Sequence, residues 1–99
     1  AIWTFIMFGT DVNENRRHVH VGRKDTEKLC KIWLEPEVEV AKAGELSIRE
    51  QREVVEIASQ FREQLLENWE KVTRGEKVKI LKINEMTSDV KTAFIEGYW

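Results

Sequence analysis

The stretch SIREQREVVEIASQFREQLLENWEKVTR, residues 47–74, decides the fold. It opens on Ser47-Ile48-Arg49-Glu50, the capping-box pattern. The serine hydroxyl can accept the Glu50 amide proton while the glutamate reaches back to the serine amide. Apolar residues then recur at Val54, Ala58, Phe61, Leu65, Trp69 and Val72, in steps of four, three, four, four and three. That spacing lays one stripe along a helix. Glu56, Gln60, Glu63, Glu67, Glu70 and Arg74 form the opposite, polar stripe. Lys71 and Arg74 suit the negative end of the helix dipole, and Gly75 is a natural stop. The spacing predicts one helix of about 27 residues, roughly 40 Å long at ~1.5 Å per residue.

Upstream the period is two. Ile2 to Phe8 is β-branched and aromatic and ends at Gly9. After the polar turn Asp11 to Arg17, His18-Val19-His20-Val21 alternates up to Gly22. Leu29 to Leu34 stops at Glu35-Pro36, and Val38 to Ala43 stops at Gly44. Four short strands with short links predict an antiparallel meander. Beyond the helix, Lys77 to Ile83 is a fifth strand candidate and Asn84 to Asp89 a break. Val90 to Trp99 is open between strand and helix. The expected architecture is α+β: a four- or five-stranded, mostly antiparallel sheet with one long helix packed on one face.

Composition bounds the function. With 99 residues and 41% hydrophobic content the chain makes one domain with a real core. A net charge of −2 excludes bulk nucleic-acid or membrane binding by the whole chain. A single Cys excludes an intrachain disulfide and a Cys-only zinc site, and fits a reducing compartment. No apolar run reaches ~18 residues, and no basic region precedes Ile2 to Phe8, so neither a membrane span nor a signal peptide is expected. The expectation is a cytoplasmic chain without a membrane partner. There is no phosphate-binding glycine loop, serine nucleophile elbow or common zinc spacing, and no cofactor is called for.

Charge is segregated along the chain. Residues 13–31 hold six Lys or Arg against three acids, 32–70 hold four against ten, and 71–82 hold five against one. Within the first segment His18 and His20 share one side of a strand, about 6.6 Å apart at ~3.3 Å per residue. Arg16, Arg17, Arg23 and Lys24 lie near them in sequence. Three uses compete. The imidazoles can serve as acid and base on RNA while the cations hold phosphate charge and Trp33 stacks a base. They can chelate a metal, with Cys30, Asp11 or Glu14 as third ligand only by folding. Or they are strand residues with satisfied hydrogen bonds, beside cations that pair with the acidic helix. Cys30, with Ile32 and Leu34 on its strand face, reads as a buried, inert thiol. The aromatic C-terminus, with Phe94, Tyr98 and Trp99, is a candidate partner or self-association interface.

The ordered features resemble a small prokaryotic family, domain of unknown function 4160. The resemblance rests on the opening apolar strand, His18-Val19-His20-Val21, Lys31-Ile32-Trp33-Leu34-Glu35-Pro36, Gly44 before the helix, and Leu65-Leu66-Glu67-Asn68-Trp69 near its end. It covers residues 1–74, the expected core, and leaves 75–99 as an extension of the same domain or an oligomer interface. Asn13-Glu14-Asn15-Arg16-Arg17 stands where the family has Asp-His-x-Pro-Pro. Glu14 therefore replaces a histidine, and two arginines replace prolines. The resemblance implies a gene paired with a small partner gene, in the manner of a toxin–antitoxin module. It brings no established catalytic residue. Two functions follow as expectations: a toxin-like component acting on RNA or translation through His18, His20 and the surrounding cations, or a non-enzymatic domain that binds a cognate small protein or itself. A metal-binding module is a third.

Overall fold

The computed structural model describes residues 2–9, 13–85 and 90–98, with backbone alone at 79 and 84–98. The strands are β1 (Ile2–Ile6), β2 (His18–Gly22), β3 (Cys30–Trp33), β4 (Glu39–Lys42), β5 (Lys79–Glu85) and β6 (Val90–Tyr98). They form one antiparallel sheet in the order β4-β3-β2-β1-β5-β6. The first four are the expected meander. The undecided segment is strand β6, which brings the sheet to six strands. Trp99 lies outside the described residues, as do the side chains of Phe94 and Tyr98.

Alternation sorts the sheet into two faces. Trp3, Phe5, Val19, Val21, Cys30, Ile32, Leu81 and Ile83 are buried in one core with Val54, Ile57, Ala58, Leu65, Trp69 and Val72 of the helical segment. The register aligns them across strands: Trp3 opposite Ile83, Phe5 opposite both Leu81 and Val21, Val19 opposite Ile32. His20, Lys31, Ile6 and Thr4 fall on the other face by the same alternation.

The helical segment differs from the expected single helix in one place. It runs as α1 (Ile48–Gln60) and α2 (Arg62–Thr73), with Phe61 between them at φ −106°, ψ 18°. The Ser47 capping box is formed in both directions. Near the break the Ser59 hydroxyl donates to the Val55 carbonyl at 2.8 Å, a contact that bends helices. Arg62 follows at once and donates to the Leu34 carbonyl at 2.8 Å, tying the second half to the end of β3. As one straight helix the segment would run roughly 39 Å, against a longest molecular dimension of 35 Å.

Two glycines have positive φ, for different reasons. Gly44, at φ 60°, lies so close to the backbone that a Cβ would come 2.4 Å from the Lys28 carbonyl oxygen. Gly75, at φ 75°, ends α2 with nothing within 4 Å. Gly44→Ala is expected to lose roughly 2–3 kcal/mol, a left-handed penalty plus a backbone clash, and Gly75→Ala about 1 kcal/mol. Urea midpoints of the two variants check this, and the reverse order would refute the account.

Candidate functional site

The corner where β2 begins carries the expected histidines. His18 stands opposite Trp33 in β3, and His20 opposite Lys31 and Ile6. The two rings lie on one side of the strand, centroids 5.2 Å apart and edge to face. Their exposure differs. His18 is fully buried, with Trp33 at 5.7 Å and Trp69 of α2 at 5.1 Å between ring centroids. Its Nδ1 lies 2.9 Å from the Arg16 carbonyl oxygen. A carbonyl only accepts, so Nδ1 carries the proton. The Glu14 carboxylate stands 3.8 Å from the same nitrogen, too far for a hydrogen bond. His20 is half-buried and meets the exposed Phe8 ring at 5.1 Å. Of the two imidazoles, His20 alone reaches solvent.

The cations flank β2 at opposite ends. Arg16 and Arg17 precede it, while Arg23 and Lys24 follow it, roughly 20 Å away along an extended chain. They also hold carboxylates of the same chain. Arg16 donates to Glu39 at 2.7 Å and to the Glu35 carbonyl at 2.7 Å, with its guanidinium 4.4 Å over the Trp33 ring. Arg17 pairs with Glu35 and with Glu70 in the last turns of α2. Arg23 pairs with Glu50 in the first turn of α1 and lies 5.0 Å over Trp3. Lys31 takes both Glu14 oxygens at 2.7 Å and lies 4.7 Å over Trp33. Lys24 is exposed in the turn between β2 and β3.

The sequence reading of a single basic loop around two outward histidines thus separates into parts. The rings are adjacent, as the strand period required. The four cations do not surround them, because an extended strand holds its flanks apart. The burial of His18 was missed, because it depends on Trp69, far along the chain. The acidic partners did leave a signal, in the ten-against-four balance of residues 32–70.

Glu50 has two duties. It accepts the Ser47 amide proton and holds Arg23, and these contacts set its carboxyl below the usual carboxylate range. Arg23, held by Glu50, is raised in turn. Cys30 is buried, and desolvation pushes its thiol up to about 11. Among the described residues no three His, Cys, Asp or Glu side chains converge as a metal site would need, and no helix is long and apolar enough to cross a membrane.

Two predictions follow from this geometry. His18→Ala should destabilise by about 2–4 kcal/mol through the cavity beside two indoles, and His20→Ala by under ~1 kcal/mol. Chemical unfolding checks both. A group with a depressed folded pKa stabilises above its unfolded pKa and loses that contribution as pH falls. Wild type should therefore exceed Glu50→Gln in stability at neutral pH, and the gap should close from about pH 4.3 downward. A gap that widens with acid would overturn the assignment.

No curated protein and no solved structure matches the chain. Residues 3–70 match the family described as Domain of unknown function (DUF4160), a span that takes in the meander, the histidine corner and nearly all of the helical segment. The chain belongs to the DUF4160 family.

Proposed function

We propose that the chain acts by protein contact, as one component of a toxin–antitoxin-type two-gene module. The observation that carries this reading is the fate of the cations. Cleavage of RNA needs an acid, a base and positive charge converging on one phosphate. Arg16, Arg17, Arg23 and Lys31 each hold a carboxylate of their own chain instead. Surface ion pairs are worth little each, about 0–1 kcal/mol, but a phosphate would have to displace them. The face of the sheet away from the helices has a different character. Ile2 and Phe8 are 44% and 41% exposed on it, beside the half-buried Ile6 and Ile80. Thr4, His20, Lys31 and Lys82 share that face by the same alternation, and apolar side chains set among polar ones suit a protein partner. The reading takes the chain as cytoplasmic, with a cognate small protein as its partner.

One observation favours a second reading. The His20 ring reaches solvent while His18 is sealed behind it, so a toxin-like activity on RNA would run through His20 as its acid or base. One experiment separates the two. The chain is expressed alone and with the product of the adjacent gene, and complex mass, growth and RNA integrity are measured. The expected outcome is a stable heteromeric complex by light scattering, with no RNA cleavage and no effect of His20→Ala. RNA cleavage abolished by His20→Ala would put the second reading first. Neither complex nor growth effect would remove both.

A further inference from the structure

The family match ends at residue 70, yet the strand that covers β1 comes from beyond it. Without β5 and β6 the sheet would read β4-β3-β2-β1, with β1 as its edge. The other edge, β4, is built to discourage pairing. It has four residues, starts with Glu39, ends with Lys42, and shifts register against β3. β1 has none of these devices. Ile-Trp-Thr-Phe-Ile carries no charge and no proline, and pairs in regular register on both sides. Such a strand at an edge is a template for another strand.

The covering segment supplies what that template lacks. Leu81 and Ile83 stand opposite Phe5 and Trp3, and with Val78 they are at most 3% exposed in the shared core. Its tether is different in kind: residues 73–77 are all exposed, and Gly75 has open space around it. A core on one side and a solvated link on the other describe two pieces joined by a leash.

We propose that the β1 edge is a strand-accepting site. The β5–β6 hairpin fills it in cis, and a hairpin from another chain can take its place. The incoming hairpin needs apolar side chains in the pattern of Val78, Leu81 and Ile83, and main-chain groups to pair with Ile2 to Phe5. This names the kind of partner for the protein-contact reading, and rests on that reading only for the natural donor.

The test uses the full chain with a protease site inserted between Gly75 and Glu76. The folded protein is cut, and a fluorescent peptide of residues 76–99 is added. The two pieces should stay together in gel filtration, and the labelled hairpin should replace the resident one. Leu81→Asp or Ile83→Asp in the peptide should lower uptake at least about tenfold, the loss expected for one buried aliphatic contact. Lys77→Ala should leave uptake within roughly twofold, as for an exposed tether residue. Unfolding of the cut chain, no exchange over a day, or uptake indifferent to Leu81 and Ile83 would each overturn the proposal. Exchange without any complex with the adjacent gene's product would keep the strand site and remove the functional reading. A complex without exchange would do the reverse.

Discussion

Two arginines, one on each flank of β2, tie the helical segment to the sheet. Arg23, just after β2, holds Glu50 in the first turn of α1, and Arg17, just before β2, holds Glu70 near the end of α2. Between them Val54, Ile57, Leu65 and Trp69 are buried in one core with Val19, Val21 and Ile32. Apolar burial supplies most of the free energy, and the two ion pairs add a smaller term at the ends of the helical segment. The histidine corner inherits its form from this arrangement, because the same seating brings Trp69 onto His18.

Legibility in the sequence followed the range of the interaction responsible. The capping box at Ser47 and the stops at Gly22 and Gly75 depend on neighbours a few residues away, and were readable; the stop at Gly44 was readable too, but its close approach to the Lys28 backbone was not. The alternation of Val19 and Val21 with the histidines was readable for the same reason. The break at Phe61 was not, since the apolar stripe runs through it with unchanged spacing. Ser59 is exposed and its hydroxyl bond to Val55 competes with nothing in the stripe. Strand β6 was undecidable because its only described partner is β5. The candidate site was half-legible. Period two put the imidazoles together, whereas the acids that claim the arginines come from β4, the turn before it and both helices.

That distribution bears on how far a cluster of positive residues in a sequence signals a ligand. Six cations within residues 13–31 look like a phosphate grip when counted along the chain. In three dimensions most of them are internal struts. Arg16 and Lys31 also lie over the Trp33 ring, where the aromatic face adds to what the carboxylates hold. The guanidiniums of Arg16 and Arg17 tie the start of β2 to Glu35, Glu39 and Glu70.

Cys30 shows how the core shapes chemistry that has nothing to do with a site. Its sulfur sits within the folded interior, and burial holds it in the thiol form. Oxidation by peroxide or by glutathione disulfide begins with attack by the cysteine thiolate on that oxidant. A native molecule therefore passes through oxidising episodes unmarked, and only chains that have opened acquire the lesion, so that sulfur oxidation becomes a tally of past unfolding.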